Sequence, residues 1–260
     1  MGKRGAHGLD GAFDLVLESL RAAADGVLAV ALSPACAACE RPLEHPTRGP
    51  VCDNCWQSIL PLTPPLCDQC GDVLQTWRIA APPDEACPRC RRIRSDITCA
   101  RAIGAHDGAL RAIVHALKYD GRRSLARRLG QLMHDRGARV LGGASCAVPV
   151  PLHYSRRRER GFNQAADLAR ELDLPVVGAL RRTRATVTQT GLPAAQRHRN
   201  VRGAFALARR SPALAGAVVV LVDDVCTTGA TLEACARVLK STGVAEVRAL
   251  TAARVVARPR

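Results

Sequence analysis

Two carboxylates, Asp223 and Asp224, follow the apolar run Val218-Val219-Val220-Leu221-Val222 and precede Val225-Cys226-Thr227-Thr228-Gly229-Ala230-Thr231-Leu232. A β-branched run of this kind reads as a buried strand, and Leu232, Cys235, Ala236 and Leu239 then recur on one face of a helix. The turn between them places Thr227, Thr228, Thr231 and Gly229 where a helix presents unpaired N–H groups and the positive end of its dipole. Such a turn cradles an anion, and carboxylates beside it accept hydrogen bonds from vicinal hydroxyls. A ribose bearing a 5-phosphate has both parts. The plainer alternative is a strand-to-helix turn with a capping threonine, but an acid pair ending a buried strand is costly without a use.

Cysteines supply the second chemistry. Eight of the twelve form four CxxC pairs: Cys36/Cys39, Cys52/Cys55, Cys67/Cys70 and Cys87/Cys90. Grouped in order they make two four-cysteine sets whose spacing suits zinc ribbons, and a site closed by four thiolates holds Zn2+ structurally, with no position open for catalysis. An interleaved grouping, or one unfilled site, remains open. The proline-rich segment around these pairs lacks long apolar runs and needs such staples to fold. No secretory signal is evident: Asp14, Glu18, Arg21 and Asp25 interrupt the apolar stretch 13–32, so it is expected neither to span a bilayer nor to serve as a signal core. A cytoplasmic location is expected, where CxxC pairs favour zinc over disulfides. Cys99, Cys146, Cys226 and Cys235 fall outside the pattern; Cys226, beside the anion turn, is the oxidation-sensitive candidate.

The chain is strongly basic, with 38 Lys+Arg against 23 Asp+Glu, a net charge of +15 and a pI of about 10.0. Nearly all of this charge is arginine, since Lys3, Lys118 and Lys240 are the only lysines. The balance favours phosphates or nucleic acid as partners, although an Arg-, Ala- and Gly-rich composition accounts for it as well.

The elements that must position these residues follow from periodicity. Three domains are expected: an N-terminal helical segment at 1–33, a cysteine-rich module at 34–95 and an α/β domain at 96–260. From Ala102 onward apolar runs alternate with helical patterns, as in βαβ units with a mostly parallel sheet. Helices are expected over Leu110–Leu117, around Leu125–Met133 and over Gln164–Leu172. Strands are expected at Ala147–Pro151, from Val176, at Val218–Val222 and within Val244–Val256.

The acid-pair motif resembles the 5-phosphoribosyl-1-pyrophosphate (PRPP) signature of type I phosphoribosyltransferases. Further segments run in order with it: Leu117-Lys118-Tyr119-Asp120-Gly121; Val148-Pro149-Val150-Pro151-Leu152-His153; Ser155-Arg156-Arg157-Arg158-Glu159-Arg160-Gly161-Phe162-Asn163-Gln164-Ala165; and Arg182-Thr183-Arg184 with Gln189, Leu192, Arg197, Asn200, Val201 and Phe205. With the CxxC module, they are similar to the ComF family of competence-associated proteins. The resemblance implies a double zinc ribbon ahead of a type I phosphoribosyltransferase-like domain, a parallel sheet flanked by helices. It also implies a role in natural transformation, where incoming single-stranded DNA is handled, with a competence helicase or recombination-mediator protein as possible partners.

Carried over residue by residue, Asp223 and Asp224 hold the ribose hydroxyls and are the catalytic residues if transfer occurs. Val225, Thr227, Thr228, Gly229, Ala230 and Thr231 receive the 5-phosphate. Pro149, Val150, Pro151, Leu152 and His153 form the pyrophosphate loop, with Mg2+ bridging pyrophosphate and ribose oxygens. The stretch from Arg182 to Phe205, with Gln189 and Arg197, resembles a mobile hood. Lys118, Tyr119, Arg156, Arg157, Arg158 and Arg160 are candidate lid or anion-binding residues. The arginine cluster has three open readings: it neutralises pyrophosphate, it follows a DNA backbone with Tyr154 and Phe162 stacking on bases, or it is simply solvated. Two functions also stay open, a PRPP-binding protein of DNA uptake and an active phosphoribosyltransferase of nucleotide metabolism or salvage. No acceptor-base motif is evident.

Overall fold

The computed structural model describes residues 7–74, 86–184 and 201–256. The chain divides into two compact units, Met1–Ser58 and Ile59–Arg260. The division falls between the two cysteine sets.

In the first unit, α1 (His7–Leu32) precedes a ribbon closed by an antiparallel bridge between Ala35 and Pro42, a 3-10 turn (Pro46–Arg48) and α2 (Asp53–Gln57). Among the described residues its buried apolar side chains are Cys36, Leu43, Val51, Cys55 and Trp56. Asp25 joins helix to ribbon. Buried on α1, it accepts a hydrogen bond from the Thr47 N–H at 2.7 Å and lies 3.3 Å from His45 Nδ1. That backbone bond holds the Asp25 carboxyl below its ordinary range.

The second unit begins with another ribbon, bridged between Leu66 and Val73 and carrying α3 (Pro88–Arg92). The sheet then forms from β1 (Cys99–Ala105), β2 (Cys146–Pro149), β5 (Val218–Cys226) and β6 (Glu246–Arg254). The order is β1-β6-β5-β2 and every pairing is parallel. A further parallel bridge joins Ala147 to Val176, where the sequence suggests a strand start. Between the strands lie α4 (Gly108–Tyr119), α5 (Leu125–Arg136), α6 (Ala138–Leu141), α7 (Tyr154–Arg160), α8 (Gln164–Ala169) and α9 (Ala230–Lys240). A small antiparallel pair, β3 (Leu180–Arg182) and β4 (Phe205–Leu207), stands at the two ends of the hood-like stretch.

The middle of β5, Val219–Val222, and Val247, Ala249 and Leu250 of β6 are apolar and fully buried because both faces of these strands are covered. Val219, Leu221, Val247 and Ala249 share one core with Leu232, Cys235, Ala236 and Leu239 of α9. Alternation sends Val220, Val222 and Leu250 to the opposite face, where α5 and α8 pack. Two elements differ from the periodicity. β1 opens at Cys99, ahead of the apolar alternation, because Arg101 turns to the ribbon instead of to water. α8 stops at Ala169, and the chain leaves through Asp173 at φ 51.

Candidate functional site

The strand order of the parallel sheet sets a switch point at its carboxyl edge. From β5 the chain crosses through α9 to β6 on one side, and from β2 through α7 and α8 to the Val176 bridge on the other. β5 and β2 are neighbours, so the order reverses between them, the place where open α/β sheets bind ligands. The turn after β5 and the loop after β2 flank this point. They are the two segments that carry the acid pair with its threonines and Pro149–His153.

At the end of β5, Asp224 is 5% exposed and its Oδ1 lies 2.9 Å from Lys118 Nζ at the end of α4. Asp223 is half-buried beside it. Burial first, and then the Asp224 charge, push its carboxyl up to about 7, while Lys118 and Arg182 oppose the rise. Asp224 is thus ion-paired, while Asp223 Oδ1 accepts from the Asp224 N–H at 2.9 Å. Burial first, and then the charges of Lys118 and Arg111, hold the His106 ring below its ordinary range.

The following turn has Gly229 at φ 76, a left-handed conformation that a side chain would strain, and α9 starts at Ala230. Thr228 Oγ1 accepts from the Ala230 N–H at 3.4 Å, but the N-cap position is Gly229 and no threonine caps the helix from there. Val225, Thr227 and Thr231 belong to the same short segment. Cys226 is not the reactive thiol its position suggested. It is buried, and burial pushes its pKa up, outweighing Arg254, whose Nη1 lies 3.3 Å from the sulfur and pulls the other way.

The loop after β2 is fixed from both ends. The Val150 N–H donates to the Val222 carbonyl at 2.9 Å, and Asn163 Nδ2 donates to the Val150 carbonyl at 3.1 Å. Asn163 also caps α8 through its Oδ1 to the Ala165 N–H. The Arg-Gly-Phe-Asn-Gln-Ala block is thus a joint: Gly161 at φ 75 ends α7, Phe162 is buried, and Asn163 ties the next helix to the loop. Pro151 and Leu152 lead to His153, whose Nδ1 caps α7 at Ser155.

Arg156, Arg157, Arg158 and Arg160 lie on α7. Arg158 sits over the Tyr154 ring at 5.6 Å and Arg160 over the Tyr119 ring at 4.8 Å. Tyr154 is 67% exposed and Tyr119 58%, whereas Phe162 is 7% exposed beneath Arg123. Phe162 is therefore excluded as a stacking surface; Tyr119, across from α7, is the aromatic that accompanies Tyr154. Gln189 and Arg197 lie outside the described residues.

The cysteines form two groups in chain order, Cys36, Cys39, Cys52 and Cys55, then Cys67, Cys70, Cys87 and Cys90, each with its sulfurs within 4.8 Å of one another. Sulfur separations are 3.9 Å for Cys36–Cys55, 3.8 Å for Cys39–Cys52 and 3.7 Å for Cys70–Cys87. Four thiolates about 2.3 Å from a tetrahedral Zn2+ stand about 3.8 Å apart, so both groups fit the ion. Backbone N–H groups of Ala38 and Cys52 point at Cys36 Sγ, and that of Cys87 at Cys67 Sγ. Thiol pKa values diverge within each group: Arg41 pulls Cys39 down to about 6, and burial pushes Cys70 up to about 12. The interleaved grouping is excluded. Both sites are structural zinc sites.

The sequence reading missed the residues between the zinc ligands. Arg89 donates to the Thr228 carbonyl, Asp72 Oδ1 accepts from Arg254 Nε at 2.7 Å, and the Gln69 carbonyl accepts from the Ala100 N–H at 2.7 Å. Arg89 and Gln69, inside CxxC motifs, and Asp72, just after one, look like spacers, and no local signal marks them.

Fold and site define a phosphoribosyltransferase-type domain joined to zinc ribbons. Residues 158–259 match the phosphoribosyl transferase domain family, and residues 27–91 match the double zinc ribbon domain. Competence protein F of Haemophilus influenzae is 31% identical over 214 residues, covering 78% of this chain and 90% of that protein. DNA utilization protein YhgH of Escherichia coli (strain K12) is 32% identical over 221 residues, 75% of this chain and 93% of that one. A hypoxanthine phosphoribosyltransferase structure from Staphylococcus aureus overlays with a TM-score of 0.31 at 14% identity, over 50% of this chain and 62% of that one. The chain belongs to the ComF family of competence proteins. Among the described residues, no helix is long and apolar enough to cross a membrane.

Proposed function

We propose that the chain binds a 5-phosphoribosyl ligand, PRPP with Mg2+, between β2 and β5, and that it handles single-stranded DNA in the cytoplasm during natural transformation. The observation that carries the first part is the acid pair at the sheet's switch point, next to a helix N-terminus with a left-handed glycine. Asp223 and Asp224 take the ribose hydroxyls and Thr227–Thr231 the 5-phosphate. A carboxylate pair in which one member is pushed toward neutrality suits hydroxyl donors and a hard cation, which supply the missing positive charge. Lys118 holds Asp224 until the ligand arrives. The Pro149–His153 loop, tied to Val222 and Asn163, faces the pyrophosphate.

The DNA part rests on the relatives, one named a competence protein and the other a DNA utilization protein, and on the α7 arginines, of which Arg157 and Arg158 are exposed, with Tyr119 and Tyr154. Stacking aromatics set among arginines suit single strands without demanding a sequence. Calorimetric titration with PRPP/Mg2+, and separately with a short single-stranded oligonucleotide, tests both parts. Replacing both acids by Ala is expected to weaken PRPP by at least about tenfold, the loss of one or two charge-assisted hydrogen bonds. Unchanged affinity with an intact fold overturns the pocket. Replacing Arg156, Arg157 and Arg158 by Ala is expected to flatten the log–log salt dependence of oligonucleotide binding by up to about 2 units. An unchanged slope removes α7 from the DNA surface.

A further inference from the structure

We propose that Arg89, carried on the short helix between two cysteines of the second cluster, is a positioning residue that sets a peptide plane in the phosphate turn. The proposal rests on the reading above that Thr227–Thr231 takes a phosphate. Arg89 lies on α3 between Cys87 and Cys90, and its guanidinium donates to the carbonyl of Thr228. In a planar trans peptide the C=O and the following N–H point to opposite sides. A Thr228 carbonyl held toward the ribbon therefore turns the Gly229 N–H away from it, to the side left for an anion.

Within the turn this plane is held only by the long 3.4 Å bond from the Ala230 N–H to Thr228 Oγ1. Gly229 lacks a Cβ and sits at φ 76, so the Thr228–Gly229 peptide rotates at little steric cost. An external donor is needed to select one orientation, and Arg89 is that donor. A neighbouring peptide is set by the same logic. The Cys226 carbonyl accepts from the Val255 N–H at 2.9 Å, which directs the Thr227 N–H away from β6.

The platform carrying Arg89 is anchored. Arg254 is 4% exposed and joins Asp72 of the ribbon, while Arg101 donates to the Asp68 carbonyl at 2.9 Å. The segment after α3 also grips the phosphate helix. Ser95 Oγ and the Asp96 N–H both donate to Glu233 in the first turn of α9, at 2.7 and 2.9 Å. Those bonds occupy a carboxylate that otherwise repels an anion at the helix start. The second cluster thus acts on the ligand site through Arg89, and its integrity becomes a condition for phosphate affinity.

The test uses the full chain with Arg89→Ala and Arg89→Lys, titrated with ribose 5-phosphate and with PRPP/Mg2+. Zinc per chain is counted, and the ligand-free Gly229 amide is followed by 15N-resolved NMR. We expect Arg89→Ala to weaken both ligands about tenfold, the scale of one charge-assisted bond, with zinc unchanged and the Gly229 resonance moved. Arg89→Lys, which still donates to a carbonyl, should recover most of both changes. Wild-type affinity in Arg89→Ala overturns the proposal. So does affinity lost together with zinc, which makes Arg89 a mere prop of the cluster, and so does affinity lost with an unmoved resonance. If the wild-type chain takes neither ligand, the pocket reading falls and the resonance alone decides: unmoved overturns Arg89's role, and moved then restored by lysine upholds it.

Discussion

The two cysteine clusters have the same donors, the same CxxC spacing and nearly the same sulfur separations, yet they are built into different surroundings. The first closes on backbone N–H groups of its own ribbon, and α1 is attached to that ribbon by one buried carboxylate, Asp25. The second is fastened to the sheet by Arg254–Asp72, by Arg101 on Asp68 and by the Gln69–Ala100 backbone bond, to α6 by Arg139 on Asp68 and to the turn after β5 by Arg89 on Thr228. A CxxC pair announces the metal. The residues between and beside the ligands decide what the metal holds in place.

The largest expected effect separates the clusters directly. Cys36→Ser and Cys67→Ser should each lose one zinc, and structural zinc contributes on the order of 10 kcal/mol of apparent folding energy. Hydrogen exchange should then open residues 34–58 in Cys36→Ser, but β1 and the start of α9 in Cys67→Ser. Equal exchange of β1 in the two variants breaks the contrast. Next comes a pair of glycines. A Cβ at Gly71, φ 71, meets the Ala100 carbonyl oxygen at 2.4 Å, whereas a Cβ at Gly49, φ 123, has nothing within 4 Å. Gly71→Ala should cost about 3 kcal/mol and Gly49→Ala about 1 kcal/mol, since clash adds to backbone strain only in the first. Urea unfolding of the two variants measures the difference.

The fastening carboxylates follow. Asp72→Asn leaves the buried Arg254 without its anion, about 2 kcal/mol after allowing for the partial exposure of Asp72. Asp25→Asn weakens one backbone bond in the first unit and should cost less, because the amide oxygen still accepts from Thr47. A larger loss at Asp25 reverses the expected ranking. Acid gives the smallest effect. Asp25 is held below its ordinary 3.8 chiefly by Thr47, and Glu246 is held at about 2 chiefly by Arg248 and then Thr98. A depressed carboxylate contributes stability that is complete above its unfolded pKa and is lost as pH falls through the folded value. The Asp25 contribution therefore fades below pH 3.8, and the Glu246 contribution between about 4.5 and 2. Asp25→Asn should flatten the acid limb of the first unit and Glu246→Gln that of the second, at matched zinc content. An acid limb unchanged by either substitution removes that carboxylate from the account.

Much of this was legible in the chain because it is written locally. The strand Val218–Val222, the acid pair, the turn and α9 are contiguous, and both cysteine sets group in chain order. What was hidden depends on residues far apart in sequence. Lys118 meets Asp224, Arg89 meets Thr228 and Arg254 meets Asp72 only after the sheet has brought them together. Asp25 read as a polar interruption of an apolar helix, and only the fold shows that it is buried against Thr47. Phe162 misled for the opposite reason. A phenylalanine beside four arginines looks like a stacking surface, but Gly161 reverses the chain and puts the ring in the core.

The bond from Ala100 to Gln69 has a consequence for solubility. β1 is the outer strand of the sheet, paired on one side with β6, and its other side would present unsatisfied amides and carbonyls to any passing strand. The ribbon covers that side: Gln69 accepts from the Ala100 N–H, and Gly71 is pressed against the Ala100 carbonyl. The second cysteine cluster therefore guards a sheet edge as well as touching the turn after β5. A chain that has lost this cluster's metal keeps most of its hydrophobic core but bares a sticky edge, so its first symptom should be self-association, ahead of unfolding.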